Sequence, residues 1–221
     1  MKKLIIASDI HGSARWCGRL LEYFEKENAD RLLILGDILY HGPRNDLPEE
    51  YAPKKVMAML NPLREKLLCV RGNCDGEVDQ MVLDFPIMAE YAVLTLGNAE
   101  AYATHGHHYN EKTPPPFPAG SILLYGHTHV PVCNRHEGFV AMNPGSVSIP
   151  KEGSAHSCMV WENGVFRWLN LEDGSVYREC SLSNEKRASL PQRKRRVFFC
   201  DVSAPARRGA LALRGRFLPP A

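Results

Sequence analysis

The chain has 221 residues, of which 44% are hydrophobic and 24% charged, with a formal net charge of +2. That is the composition of a globular domain long enough to bury a sizeable core. It holds no apolar run of the ~18–20 residues that a membrane span needs, and its small net charge does not mark a general nucleic-acid binder.

The first apolar run, KKLIIAS at 2–8, meets Asp9 too early for a signal peptide and reads as a buried strand. Ser13 is placed to cap a helix over ARWCGRLLEYFEKEN, where Leu20, Leu21 and Phe24 recur at helical spacing. RLLILG (31–36) and KLLCVRG (66–72) are two more strands, separated by a helix over 52–66 with Pro53 near its start and a break at Pro62. Dense Leu, Ile and Val without alternation is how strands covered on both faces read. YAVLTLGNAEAYAT then predicts a hairpin turning at Gly97-Asn98, and TPPPFPAG (113–120) a proline-rich surface loop. SILLYG (121–126) is another buried strand, and two further strand–turn–strand signals follow at Asn163-Gly164 and Asp173-Gly174. The order βαβαβ followed by a run of β predicts an α/β fold of two packed sheets with helices outside.

Seven cysteines, none in a Cys-x-x-Cys pair, give no zinc-knuckle or thioredoxin-like signal. A chain of this length needs no disulfides, so a cytoplasmic setting is expected. Charge is divided unevenly. Ten of the 27 Lys+Arg and two of the 25 Asp+Glu fall in residues 184–221, leaving 17 basic and 23 acidic residues in 1–183. The expected organisation is therefore one domain over 1–183 and a basic, poorly ordered extension over 184–221. That extension reads as a solvated charge run, with a nucleic-acid or membrane arm or a readthrough-like extension as alternatives.

The chemistry lies at the ends of five apolar runs. Asp9 and His11 follow the first, Asp37 the second behind Gly36, and Asn73 the third behind Gly72. His105 follows AYAT, and His127 and His129 follow the last run behind Gly126. In open α/β sheets ligands sit beyond the carboxyl ends of the strands. Two carboxylates, one amide oxygen and four imidazoles exceed what one ion takes with water still bound. They fit two ions, with Asp37, from the middle of the set, as the natural bridge. Two-metal sites suit hydrolysis at phosphorus.

The motifs DIHG, GD, GNCD, THGH and GHTH resemble those of the calcineurin-like metallophosphoesterases, and the longer stretches GDILYHGPRND, VRGNCDGEVDQM and NPGSVSIPK resemble the small bacterial YfcE-type phosphodiesterases, over roughly residues 1–182. The resemblance implies a four-layer α/β/β/α sandwich of two packed mixed sheets. It implies that Asp9, His11, Asp37 and His129 bind one metal and that Asp37, Asn73, His105 and His127 bind the other. Cys74 stands where many superfamily members carry the histidine thought to protonate the leaving group. The resemblance thus makes Cys74 a catalytic candidate beside Asp37, while packing beside the metals is its other reading. Arg44 and His41 are candidates for binding the substrate phosphate, with a solvated loop or a subunit contact as the alternative.

Together these readings predict a metal-dependent phosphodiesterase acting on small phosphodiesters by attack of a dimetal-bound hydroxide. Nitrogen and oxygen donors without thiolate suit Mn, Fe, Co, Ni or Zn better than Mg alone, and Mn is the expected ion. No membrane or nucleic-acid partner is expected, and a homo-oligomer is compatible with the sequence. The rival reading is a non-catalytic protein-interaction scaffold of the same fold. The filled set of seven donors argues against it.

Overall fold

A computed structural model describes residues 1–182. The basic extension expected over 184–221 lies outside the described residues. The first strand, β1 (Lys3–Ala7), leads into α1 (Ala14–Lys26), and the Ser13 hydroxyl accepts the Trp16 N–H at 3.3 Å as the cap. Next come β2 (Arg31–Ile34), α2 (Pro53–Leu60) and a 3₁₀ turn over Asn61–Lys66 that begins just before Pro62. Pro62 has no N–H to continue the helical ladder. Then follow β3 (Leu67–Cys69), the short α3 (Glu77–Gln80), the hairpin β4 (Ala92–Leu96) and β5 (Ala99–Ala103), and β6 (Ser121–Leu124). Five strands complete the described chain: β7 (Pro131–His136), β8 (Phe139–Pro144), β9 (Ser157–Glu162), β10 (Val165–Asn170) and β11 (Val176–Ser181).

Six strands form one sheet in the order β11-β10-β9-β1-β2-β3, and five form a second in the order β4-β5-β6-β8-β7. Both are mixed: β1, β2 and β3 run parallel, as do β5, β6 and β8, with antiparallel neighbours outside them. The expected α/β sandwich of two packed mixed sheets is thus observed. The β7–β8 hairpin was not foreseen: Pro131 opens a strand, at the sheet edge where a missing N–H is tolerated.

The lack of alternation in β1 and β2 has a direct cause. Ile5, Ala7, Leu32 and Ile34 point to the core shared with α1 and α2, while Leu4, Ile6, Leu33 and Leu35 point into the core between the sheets. All eight are 0% exposed, so both faces must be apolar. Each buried Leu or Ile contributes about 1.5–3 kcal/mol, and a one-residue slip would exchange the two faces. On the outer face of the second sheet, Leu123, Tyr125 and Ala141 are covered by Tyr102, Phe117 and Phe139. Among the described residues the covering segment there is the proline-rich loop that carries Phe117. Among the same residues no helix is long and apolar enough to cross a membrane.

This architecture directs the carboxyl ends of β1, β2 and β3 to the same side. Backbone bonds then fasten the following loops together, from Asp9 N–H to the Gly36 carbonyl (3.1 Å), from His11 N–H to the Asp37 carbonyl (2.9 Å) and from Gly126 N–H to the His105 carbonyl (2.7 Å). The two sheets are tied at this end by the His127 N–H, which donates to Asp9 Oδ2 at 3.0 Å.

Candidate active site

All seven donors proposed from the sequence converge on one site. His129 Nε2 lies 3.2 Å from Asp9 Oδ1 and 3.3 Å from His11 Nε2, which is itself 3.5 Å from Asp9 Oδ1. Alongside, His105 Nε2 lies 3.4 Å from Asp37 Oδ2, 3.1 Å from Asn73 Oδ1 and 3.2 Å from His127 Nδ1. Asp9, His11 and His129 form one group able to hold an ion, and Asp9, Asp37 and His105 a second. His11 Nε2 stands 3.8 Å from Asp37 Oδ2, linking the two. Donors on one first-row ion at about 2.0–2.2 Å stand about 3.0–3.5 Å apart, so the crowding has the spacing of a coordination shell.

The local chain explains how these side chains reach one place. Five of the seven have left-handed backbone: Asp9 (φ 59°), His11 (48°), Asp37 (56°), His127 (66°) and His129 (61°). A non-glycine residue there costs about 1–2 kcal/mol, and such strain collects where surrounding structure and function demand it. The glycines that precede the donors answer to close packing. A Cβ on Gly72 would sit 2.0 Å from Asp37 Oδ1, and one on Gly126 would sit 1.9 Å from Ser8 Oγ and 3.0 Å from Asp9 Oδ2.

Three imidazoles are oriented from behind. Nδ1 of His11 donates to the Tyr40 carbonyl at 2.8 Å, that of His105 to Leu35 at 2.6 Å and that of His129 to Ile149 at 2.6 Å. Each bond leaves the Nε2 lone pair facing the cluster, the arrangement typical of metal-binding histidines. Asp9 Oδ1 is buried with no hydrogen-bond partner. A buried carboxylate oxygen of that kind is costly unless a cation meets it.

Charge points the same way. Burial works to raise the Asp9 and Asp37 carboxyls, but the imidazoles that face them, His11 and His129 at Asp9 and His105 at Asp37, hold both below the ordinary range. Burial works against charged His11 and His105, yet Asp9 raises the first and Asp37 lifts the second to about 9. The two carboxylates thus draw positive charge to the centre, and in its absence protons on the imidazoles serve. The residues present fit divalent cations.

The pocket over this centre encloses about 330 Å³ and is lined by His11, Asp37, Asn73, Cys74, His127 and His129, with Arg44 and Lys151 also on its wall. Arg44 is therefore where a phosphate-binding residue would be. His41 is set apart. Its ring packs edge-on between Tyr40 (4.8 Å, 70°) and Tyr51 (5.2 Å, 78°), and it does not line the pocket. The Cys74 N–H donates to Asp37 Oδ1 at 2.8 Å, and the Asn73 amide donates to Cys74 Sγ at 3.2 Å. Burial, and then the Asp37 carboxylate, push the Cys74 thiol up to about 12, so it stays protonated at neutral pH.

Two residues escaped the sequence reading. Asp75 follows Cys74 in the GNCD motif and is buried beneath the centre. Lys151 lies in a loop beyond β8, and its N–H donates to the His129 carbonyl at 3.2 Å. Neither follows an apolar run, which was the signal that found the others. His107 and His108 extend the THGH stretch. The His107 ring stands 5.3 Å from that of His105 and outside the two donor groups.

Comparisons with known proteins agree with this geometry. The Calcineurin-like phosphoesterase superfamily domain matches residues 1–163. The phosphodiesterase YfcE of Escherichia coli is 45% identical over 183 residues, spanning 83% of this chain and 100% of that protein. The solved structure of YfcE, described as a phosphoesterase, superposes with a TM-score of 0.79 at 46% identity, covering 81% of this chain and 98% of that one. Vps29 of Entamoeba histolytica, solved with Zn²⁺, shares the fold at a TM-score of 0.53 and 20% identity, covering 81% of this chain and 98% of its own. The chain belongs to the calcineurin-like phosphoesterase superfamily.

Proposed function

We propose that this protein is a divalent-metal-dependent phosphodiesterase that hydrolyses small phosphodiesters. The observation that carries the proposal is the place of Asp37 Oδ2 between the two sets of donors, 3.8 Å from His11 Nε2 on one side and 3.4 Å from His105 Nε2 on the other. Asp9, His11, Asp37 and His129 would hold one ion, and Asp37, Asn73, His105 and His127 the other. Divalent ions in such a cage supply Lewis acidity, making water nucleophilic near neutral pH and drawing charge from phosphoryl oxygens. The 45% identity to a protein named as a phosphodiesterase supports the same reaction class here.

The chain's own groups then have separable tasks. Arg44 and Lys151, on the pocket wall, would orient the phosphate anion, Arg44 through paired donors and Lys151 as a point charge. Cys74, a protonated thiol on the same wall, would donate to the leaving oxygen, weakly enough that acidic leaving alcohols suffer least. Nitrogen and oxygen donors without a thiolate suit Mn, Fe, Co, Ni or Zn, and Mn is the ion proposed from that set. The six described cysteines are free thiols, in keeping with a reducing, cytoplasmic setting. The filled donor set weighs against a purely scaffolding role.

The test is turnover of bis(4-nitrophenyl) phosphate by the Mn-reconstituted protein, with and without a chelator. Hydrolysis that disappears on chelation and returns with Mn supports the proposal. Absence of hydrolysis with every first-row divalent ion contradicts it.

A further inference from the structure

We infer that the groove beside Cys74 receives an aromatic ring carried on the leaving alcohol of the substrate; this rests on the phosphodiesterase reading and narrows its substrate class. The groove is open and measures about 700 Å³. Pro43, Asn73 and Cys74 line both it and the metal-donor pocket, so the two are continuous. A phosphorus atom held at the metal donors would send one ester arm past the Cys74 thiol and into the groove.

The wall chemistry selects the occupant. Tyr40, Tyr51, Pro43, Met57, Val78 and Val82 supply an apolar surface. Three of these side chains are unusually exposed for their type, with Val78 at 74%, Tyr40 at 42% and Val82 at 37%. The His41 ring, wedged edge-on between Tyr40 and Tyr51, holds the two tyrosine rings in place. Fixed tyrosine and proline rings match a planar apolar group, which gains from stacking as well as burial. Charge excludes the other kind of long arm. The cations of the site, Arg44 and Lys151, line the metal pocket, whereas the charged residues lining the groove are Asp75 and Asp79. A second phosphate would meet no cation there, only the partly exposed Asp79 and the charge of the buried Asp75. A neutral ring does not.

The experiment uses the full-length Mn-loaded protein and two esters with comparably acidic leaving alcohols, methyl 2-naphthyl phosphate and methyl hexafluoroisopropyl phosphate. The wild type should favour the naphthyl ester in kcat/KM by at least about tenfold, the scale on which apolar pockets discriminate. Val78→Asp and Val82→Asp, both at exposed positions, should reduce that preference by about fivefold or more, chiefly through KM. No ring preference in the wild type, or equal losses on both esters in the variants, overturns the inference and leaves the phosphodiesterase reading intact; equal losses would be the pattern of a surface serving a protein partner or the fold. If neither ester is hydrolysed, the phosphodiesterase reading fails by itself. Equilibrium titration with the same two esters then decides the groove: tighter naphthyl binding that Val78→Asp weakens supports it, and equal binding overturns it.

Discussion

Asp75 holds Asp37 in place through the backbone. One Asp75 oxygen accepts the N–H groups of Asp37 and Gly72, each at 2.8 Å, and the other accepts the Ile38 N–H at 2.9 Å. Burial and the nearby Asp37 charge raise the Asp75 carboxyl, so three backbone donors stabilise a carboxylate in unfavourable surroundings. Asp75→Asn would turn an amide N–H against one of these donors. Metal affinity should fall about 10- to 100-fold, as when groups that orient ligands are lost, with the far-UV spectrum retained. Unchanged affinity in a direct metal titration would show that Asp37 needs no such support.

Glycine replacements separate close approach from simple flexibility. Gly72→Ala should expel Asp37 and deplete the centre of metal, because the new Cβ would stand 2.0 Å from Asp37 Oδ1 and 2.3 Å from its nitrogen. Gly18 lies inside α1 with nothing within 4 Å of its would-be Cβ. Gly18→Ala should therefore stabilise the fold by about 0.5–1 kcal/mol and leave metal content alone. Thermal melts with metal analysis check both, and a Gly72→Ala protein with full metal content would refute the packing argument.

Much of this site was legible in the sequence because the fold repeats one device. A strand buried on both faces appears as an unbroken apolar run, and its carboxyl end is where a ligand residue emerges, so Asp9, Asp37, Asn73 and His127 could be found by position; His105 follows the half-buried β5, whose run is broken by Glu100. The left-handed φ of Asp37 and His129 is not written in residue type, since neither is glycine. Asp75 and Lys151 were hidden for another reason: their roles depend on contacts with Asp37 and His129 that only folding creates. The packing of His41 against Tyr51, ten residues on, is likewise made only by the fold.

Cys74 should matter in proportion to how poorly the alcohol leaves. The thiol is protonated but a weak donor. Cys74→His offers a stronger one and should raise turnover of alkyl diesters relative to aryl diesters. The measurement is the alkyl-to-aryl ratio of kcat in both proteins. An unchanged ratio would assign Cys74 to packing.

His156 carries a pH dependence remote from the metal donors. Its ring stacks on Trp16 at 3.6 Å and 9°, and Nδ1 donates to the Val147 carbonyl at 2.9 Å. Burial lowers its pKa below the ordinary 6.5, outweighing that bond. A folded pKa below the unfolded one means that the neutral ring's contribution is present above about 6.5 and is lost as pH falls through the folded value. His156→Phe keeps the stacked ring without the proton. Its melting temperature should fall less than that of the wild type between about pH 7.5 and pH 5. Parallel declines would place the acid sensitivity elsewhere.

In the proposed two-ion centre Asp37 is the bridge, its carboxylate within 3.4 Å of His105 Nε2 and 3.8 Å of His11 Nε2. The most direct measurement is metal stoichiometry by elemental analysis, paired with diester turnover, for wild type and Asp37→Asn. Two ions per wild-type chain are expected. The variant should lose one or both, with turnover down at least about a hundredfold. An Asp37→Asn protein that keeps two ions and full turnover would contradict the proposed bridge.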